Sequence, residues 1–263
     1  MKELYDEIYA HYETHDEDAR FDHRWCRVEY LTSLHYIYKY LKPGYKILEI
    51  GASTGQYTIA LAEAGYDVTA VELVEHNLDI LKAKITDSMS VTPIVGNALD
   101  LSMLPDEAYD ITLLFGPMYH LLDMENKKQA LCEALRVTKT GGIVFVAYCV
   151  TDGPMINYIF RLGKFHEMVE RKILDKDTFA IHTENGFLFD HMRKSDIDSL
   201  IAEFHVQRLH YVATDGLPSF LQGEMEEMDE ETLDAVFRYH LTVCEQEDLL
   251  GATAHSLDVL RKL

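Results

Sequence analysis

The chain has 263 residues, of which 48% are hydrophobic, so it can bury one sizeable core and is not a disordered chain. Its 24 Lys and Arg residues are outnumbered by 45 Asp and Glu residues, which gives a net charge of −21. A field of this sign repels nucleic-acid phosphates and anionic lipids. The composition therefore disfavours nucleic-acid and membrane partners and favours small-molecule or protein substrates.

The cysteines and the N-terminus give no sign of export or of membrane insertion. The four cysteines are widely spaced and match no zinc or redox spacing, and two of them, Cys132 and Cys149, fall in apolar patterns that predict buried thiols. The first residues lack the apolar core of a signal peptide, and no apolar run is long enough to span a bilayer. We therefore expect a cytoplasmic protein.

Residues 1–45 precede the first predicted strand and carry the apolar faces of two helices, separated by a polar stretch that contains Arg20. His11 and His15 would share a helical face, which is a possible metal pair. No third ligand or HExxH pattern accompanies them, so we predict no metal site.

A strand, a small-residue turn, a helix, a second strand and an acid then follow in order. The apolar run at 46–50 predicts a buried parallel strand, and 51–55 is a turn almost free of bulky side chains. A helical pattern covers 57–64, a second strand covers 67–71, and Glu72 stands at its end. This layout is typical of a nucleotide-type site in a doubly wound sheet.

The turn and the acid each suit a nucleoside ligand. A turn without bulk lets the ligand lie against the backbone amides that open the next helix, and Glu72 can accept two hydrogen bonds from ribose hydroxyls. The alternative is an ordinary α/β crossover with an unrelated surface glutamate.

The dinucleotide fingerprint requires glycine at the first, third and sixth positions of the turn, where this chain has Gly51, Ser53 and Gln56. In addition, Glu49 lies two residues before the turn, where a carboxylate suits a ligand that carries an ammonium group. Both features disfavour a dinucleotide.

The sequence Glu49-Ile-Gly51-Ala-Ser53-Thr-Gly55 resembles the first motif of the class I S-adenosylmethionine-dependent methyltransferases, acid-x-Gly-x-Gly-x-Gly, with serine at the middle glycine. The resemblance implies that S-adenosylmethionine is the cofactor. Glu49 and the turn, including Ala52, would hold its methionine end, and Glu72 with Leu73 would hold its ribose.

The same resemblance implies roles for two flanking regions. Residues 1–45 would cover the cofactor pocket, so that Arg20 either meets a carboxylate there or lies in a solvated loop. After a third strand at 91–95, Asn97 and the backbone of Ala98 would read the adenine edge, although Asn97 also suits a simple turn.

A fourth strand at 109–114 runs into Phe115-Gly-Pro-Met-Tyr-His120, which should border the reactive methyl group. Phe115 and Gly116 would contact the cofactor, and His120 is the best candidate for a base because its unperturbed pKa lies near neutrality. Tyr119 is the second, weaker catalytic candidate, and its alternative role is an aromatic wall of the pocket. The alternative role of His120 is to cap a helix or to bond a backbone carbonyl. The Asp/Asn-Pro-Pro-aromatic motif of amino-base methyltransferases is missing, and methyl transfer can proceed without a strong base.

Residues 151–195 interleave aromatic and charged residues, and in the resembling family insertions at this point form a substrate lid. The aromatics include Phe187 and Phe189 and suit an apolar or planar substrate. Ser195 is a candidate N-cap for the next helix. The alternating pattern at 255–263 resembles the last, antiparallel strand of the family, inserted between the fifth and sixth strands.

We therefore predict an α/β fold with a doubly wound, mostly parallel seven-stranded sheet, an antiparallel last strand and a helical lid insertion. Residues 46–150 and 196–263 would form the core, 1–45 the cover and 151–195 the lid. The predicted function is S-adenosylmethionine-dependent methyl transfer to a small cytoplasmic molecule. The alternatives are a dinucleotide-dependent oxidoreductase of similar architecture and a cofactor-binding protein without turnover.

Overall fold

The computed structural model describes residues 2–14, 17–182 and 188–263. One sheet of seven strands runs through these residues in the order β3-β2-β1-β4-β5-β7-β6. All neighbouring strands are parallel except β7, which is antiparallel to both β5 and β6. The predicted fold, including the place of the last strand, is confirmed. The strands are β1 Lys46–Ile50, β2 Asp67–Glu72, β3 Ser90–Val95, β4 Tyr109–Leu114, β5 Thr138–Cys149, β6 Val206–Ala213 and β7 His255–Lys262.

Helices cover both faces of the sheet because successive residues of the buried strands point to opposite sides. Leu48 and Ile50 of β1 face one apolar cluster, and Ile47 faces the other. The helices are α1 Lys2–Tyr12, α2 Cys26–Tyr40, α3 Gln56–Glu63, α4 Glu75–Lys84, α5 Pro117–His120, α6 Met124–Val137, α7 Asp152–Pro154, α8 Phe165–Glu170, α9 Lys194–Ile201, α10 Gln222–Glu227 and α11 Glu230–Val243, with 3-10 turns at Ala19–Asp22 and Leu217–Leu221 and a π-helix at Met155–Phe160.

The carboxyl ends of the three central strands are joined by backbone hydrogen bonds. The Gly51 N–H donates to the Val71 carbonyl at 2.8 Å, and the Phe115 N–H donates to the Ile50 carbonyl at 3.0 Å. The turn after β1, the end of β2 and the loop after β4 therefore meet at one edge of the sheet, as the site predicted from the sequence requires.

Two local predictions are wrong. Ser195 does not cap α9, because the helix begins at Lys194 and the backbone N–H of Arg193 is bonded to the Asp196 carboxylate at 3.1 Å. Cys132 is exposed, because Ala130, Leu131 and Ala134 form the buried face of α6 and Cys132 points away from them. Cys149 is buried, as expected.

The stretch after β5 packs around an apolar cluster of its own, formed by Met155, Ile159, Met168, Ile173 and Leu174. Its assignment as a lid stays a prediction, and Phe187 lies outside the described residues. Within the described ranges, no helix combines the length and the apolar character needed to cross a membrane.

A buried lysine fixes the position of the loop after β4. Lys127 of α6 is 1% exposed, donates to the Leu121 carbonyl and pairs with the Asp190 carboxylate at 2.9 Å. The Asp190 N–H in turn donates to the Tyr119 carbonyl at 2.7 Å. Lys127 thus holds α5 against the segment that leads into α9.

Replacing Lys127 with Met should destabilise the protein by about 3 kcal/mol, because the Asp190 carboxylate and the Leu121 carbonyl then lose their buried partner. The matched control is Lys128→Met, which removes only ion pairs with the exposed Glu125 and Glu203 side chains and should cost less than about 1 kcal/mol. Urea denaturation measures both. Equal losses in the two variants would contradict the role of Lys127.

Candidate active site

Two adjoining cavities lie at the carboxyl edge of the sheet, where ligands of open α/β sheets bind. We name them the Glu49 cavity and the Glu72 cavity. Both are bordered by Glu17, Gly51, Ser53 and Tyr119. The Glu49 cavity is also lined by Arg20, Glu29, Ser33, Glu49, Ala52, Thr54, Gln56, Tyr57, Phe115, Ala147, Tyr148, Thr214, His255 and Ser256. The Glu72 cavity is also lined by Tyr5, Ile8, Tyr12, Ile50, Val71, Glu72, Leu73, Val74, Asn77, Gly96, Asn97, Ala98, Gly116, Pro117, His120 and Leu121.

The turn between β1 and α3 divides the two cavities. At Gly51 (φ +85°) a side chain would overlap the Phe115 carbonyl oxygen, so only glycine fits. Ser53 has a φ of +48°, the left-handed backbone that explains why the resembling motif has glycine here. The buried Ser53 hydroxyl has no hydrogen-bond partner among the described residues. An unpartnered hydroxyl beside two cavities is available to a ligand.

The Glu72 carboxylate is fixed by the backbone around it. One oxygen accepts the Ser53 N–H and the other accepts the Val74 N–H, each at 2.8 Å. Burial raises its pKa, and these hydrogen bonds oppose that shift. The Leu73 backbone also contributes to holding the carboxylate. A carboxylate has about four lone-pair sites, so acceptor capacity for a ligand hydroxyl remains beside these bonds.

The Glu49 side chain lies between the sheet and α3, where it accepts the Thr58 hydroxyl. It is 1% exposed, and burial raises its pKa to about 8. The group is therefore mainly protonated at neutral pH in the absence of a ligand. A cation bound beside it would favour the carboxylate.

Asn97 lies in the Glu72 cavity beside Ala98, and its amide has protein partners. Its Oδ1 accepts the Leu99 N–H, as in an Asx turn, and its Nδ2 donates to the Tyr5 hydroxyl, each at 3.0 Å. Asn97 thus makes the turn contact that was the alternative to adenine recognition. Recognition of an adenine edge stays a prediction.

Tyr119 borders both cavities, but His120 lies only in the Glu72 cavity. The Nε2 atom of His120 is 2.8 Å from the Tyr12 hydroxyl, and the His120 ring centroid is 5.0 Å from that of Phe189. Burial lowers the pKa of His120 to about 4, so the ring is neutral at neutral pH and a weak base. Its role as a catalytic base stays a prediction.

Arg20 lines the Glu49 cavity and forms an ion pair with Glu29 of α2. Its side chain is 30% exposed and is therefore only partly covered, so contact with a ligand carboxylate stays a prediction. His255 lies close by and pairs with Asp215 at 2.9 Å. The sequence reasoning did not identify Glu29, Asp215 or His255 as site residues. His255 could have been predicted from the sequence, because an antiparallel last strand begins at the edge where the parallel strands end.

Among the residues that the structure describes, no cluster of three or more His, Cys, Asp or Glu side chains could hold a metal ion. His15 of the possible metal pair lies outside the described residues.

Comparison with known proteins gives a family match and two kinds of relative. Residues 48–146 match a family model described as a methyltransferase domain. The chain is 36% identical over 110 residues to a ubiquinone/menaquinone biosynthesis C-methyltransferase UbiE of Burkholderia multivorans, covering 40% of this chain and 44% of that protein. It is 34% identical over 105 residues to a demethylmenaquinone methyltransferase of Renibacterium salmoninarum, covering 40% and 41%. The chain thus matches less than half the length of these curated relatives.

Solved structures share the fold at low sequence identity. A SAM-dependent methyltransferase of Methanosarcina mazei superposes with a TM-score of 0.59 at 16% identity, covering 87% of this chain and 97% of that one. The [4+2]-cyclase SpnF superposes with a TM-score of 0.54 at 19% identity, covering 89% and 80%. A methyltransferase and a cyclase thus share this architecture, so the fold alone does not fix the reaction.

The strand order, the bare turn with an acid on each side and the domain match define a Rossmann-like methyltransferase. Residues 48–146 form a methyltransferase domain of the class I S-adenosylmethionine-dependent type, and S-adenosylmethionine is the cofactor of that class. Within the class, the matching segment is similar to methyltransferases named for ubiquinone/menaquinone biosynthesis and for demethylmenaquinone. A dinucleotide-dependent oxidoreductase is not favoured.

The raised pKa of Glu49 makes stability depend on pH. Its folded-state pKa of about 8 exceeds the ordinary value of 4.5, so the folded chain binds more protons than the unfolded chain between these values. The associated stability is present at pH 4.5 and is lost as the pH rises through 8.

Glu49→Gln, which keeps the acceptor for Thr58, should gain on the order of 3 kcal/mol relative to wild type between pH 5 and 8. Chemical denaturation at both pH values tests this, with the exposed Glu63→Gln as control. A constant difference between wild type and Glu49→Gln would refute the assignment.

Proposed function

We propose that this protein transfers the methyl group of S-adenosylmethionine to a small cytoplasmic molecule. The observation that carries the proposal is the meeting of the two cavities at the turn 51–55, with Glu72 on one side and Glu49 on the other. When bound, the cofactor supplies an electrophilic methyl group on a positively charged sulfur. The residues of the chain then have to bind it, orient the acceptor and exclude water.

The Glu72 cavity is the proposed site of the nucleoside. Glu72, together with Leu73, would hold the ribose hydroxyls, and Asn97 with Ala98 would lie against the adenine. Gly116 and Phe115 would border the sulfur, at the boundary of the two cavities. In this arrangement the Tyr12–His120 pair closes the nucleoside side, so His120 positions the cover rather than taking a proton.

The Glu49 cavity is the proposed site of the methionine end. Glu49 is suited to the ammonium group and Arg20 to the carboxylate, because each offers the opposite charge. The backbone of Gly51 and Ala52 leaves room for the chain of the ligand, and the unpartnered Ser53 hydroxyl can donate to it. Gly55 lines neither cavity, because it packs against the Leu81 side chain.

The far side of the Glu49 cavity is the proposed acceptor site. Its wall is aromatic, with Tyr57, Phe115, Tyr119 and Tyr148, which suits a planar ring. The relatives that match residues of the central domain are named for ubiquinone and menaquinone biosynthesis. We therefore propose a hydroxylated, quinone-type ring as the acceptor. Residues 1–45 would cover the cofactor, and 151–195 would form the lid over the acceptor.

Isothermal titration calorimetry with S-adenosylhomocysteine tests the cofactor site. Wild type should bind with a dissociation constant in the micromolar range, and Glu72→Ala should weaken binding by about 100-fold, because two charge-assisted hydrogen bonds are lost. Glu75→Ala, which removes an exposed acid three residues later, should bind like wild type. Thermal unfolding of Glu72→Ala checks that the variant is folded, since Glu72 also holds the turn.

Two results would reverse the proposal. Tight NADH binding without a response to S-adenosylhomocysteine would favour an oxidoreductase. Cofactor binding without transfer of a labelled methyl group to any compound of a small-molecule cell extract would favour a binding protein without turnover.

A further inference from the structure

A histidine and an aspartate at the carboxyl edge of the sheet have no role in the cofactor site described above. His255 is the first residue of β7 and lies opposite Cys149, the last residue of β5. Asp215 follows β6 by two residues. Because β7 runs antiparallel to its neighbours, its start lies where β5 and β6 end, and His255 therefore lines the Glu49 cavity.

Asp215 is a buried, firmly held carboxylate. It is 2% exposed and accepts the Thr253 hydroxyl, the Ala254 N–H at 2.9 Å and the His255 N–H at 3.1 Å. Burial would raise its pKa, but the neighbouring His255 and these hydrogen bonds lower it below the ordinary value. Asp215 therefore stays ionised.

This carboxylate fixes the orientation of the His255 ring. Nδ1 lies 2.9 Å from Asp215 Oδ2 and 3.4 Å from Glu29 Oε2. Both carboxylate contacts are made through Nδ1, and a side-chain hydrogen bond with Cys149 adds to the surroundings of the ring. With the Nδ1–H directed at Asp215, the neutral ring carries its lone pair on Nε2, and this ring borders the cavity walled by Tyr119 and Tyr148.

We propose that His255 is the catalytic residue that takes the proton of the acceptor hydroxyl, with Asp215 as its positioning residue. This inference rests on the proposed function, and it deepens it, because it requires an acceptor with an ionisable hydroxyl. A carbon or nitrogen acceptor that needs no hydroxyl deprotonation would have no use for this pair.

The step is balanced in atoms and charge. The O–H bond breaks and its proton goes to Nε2 of His255, while the electron pair left on the acceptor forms the bond to the methyl carbon. The electron pair of the breaking carbon–sulfur bond stays on sulfur, and the positive charge of the sulfur is thereby neutralised. If the ring carbon beside the hydroxyl is the nucleophile, its hydrogen returns to the oxygen by tautomerisation. In both cases His255 ends as an imidazolium paired with Asp215.

The charges around His255 favour this final state. Burial alone would lower the pKa of His255, but the Glu29 and Asp215 carboxylates outweigh it and hold the pKa well above its ordinary value. The other titratable or charged groups that face it are Arg20, paired with Glu29, and Glu17, Glu49, Tyr57, Tyr119, Tyr148, Cys149 and His191. A positively charged ligand in the same cavity opposes protonation. Methyl-transfer activity should therefore rise with pH as His255 loses its resting proton.

His120 is placed less favourably than His255 for a base. Its Nε2 is already paired with the Tyr12 hydroxyl, and it lies in the Glu72 cavity, away from the aromatic wall.

Histidine NMR of the full chain tests the inference without turnover. In wild type His255 should titrate well above pH 6.5, and in Asp215→Asn its titration should move down towards 6.5. Sinefungin, which carries an ammonium group near the position of the sulfonium, should lower the titration midpoint more than neutral S-adenosylhomocysteine does. A midpoint that responds neither to Asp215→Asn nor to the charge of the ligand would overturn the proposal.

Rates provide the second readout. With labelled cofactor and a small-molecule cell extract, His255→Gln should lower kcat by about 100-fold or more while calorimetric binding of S-adenosylhomocysteine stays within about twofold. Asp215→Asn should shift the rising limb of the pH–rate profile to lower pH, which a purely structural residue would not do.

The matched control is His210→Gln, because His210 also pairs through Nδ1 with a carboxylate, Glu245 at 2.7 Å, but lines neither cavity. A wild-type rate in His255→Gln would disprove the assignment. Loss of cofactor binding by wild type itself would instead contradict the proposed function, and the apo titration would still decide the state of His255.

Discussion

The hydrogen bonds from Ser53 and Val74 to the Glu72 carboxylate are the interaction on which the arrangement of the site depends. They tie the turn after β1 to the end of β2, so the two cavities are formed by one fixed piece of backbone. Gly51 allows this by letting the loop after β4 approach closely. A buried acid with two amide partners is stable only in this geometry, because an unpaired carboxylate there would be costly. The same group that holds the loop therefore presents its remaining acceptor capacity to a ligand.

The features that could be predicted from the sequence are those that a short local pattern determines. The glycine-rich turn, the acids at 49 and 72 and the antiparallel last strand each lie in a short segment with its own pattern. The sheet order confirms the place of the last strand. The pairing of Arg20 with Glu29, and of His255 with Asp215, depends instead on how distant segments pack. Asp215 and His255 are separated by a long connection that contains α10 and α11. No periodicity marks such a pair, and only the direction of β7 indicated that position 255 reaches the site.

Burial acts to lower the pKa of both cavity histidines. Their different neighbours then move the two pKa values apart. His120 faces a tyrosine hydroxyl and stays neutral, whereas His255 faces two carboxylates and holds a proton. A prediction from the sequence treats both as imidazoles with a pKa near neutrality. The chemical role of each ring is decided by the charge of its neighbours, which the fold supplies.

The helix α1 contributes Tyr5, Ile8 and Tyr12 to the roof of the Glu72 cavity, and its polar contacts there are single hydrogen bonds to Asn97 and His120. Each such bond contributes only about 1 kcal/mol. Lifting the helix from the cavity would therefore break two hydrogen bonds and uncover Ile8, which is 4% exposed. With the nucleoside in the Glu72 cavity, as proposed above, cofactor exchange would involve the amino-terminal helix, whereas the acceptor would enter at the Glu49 cavity.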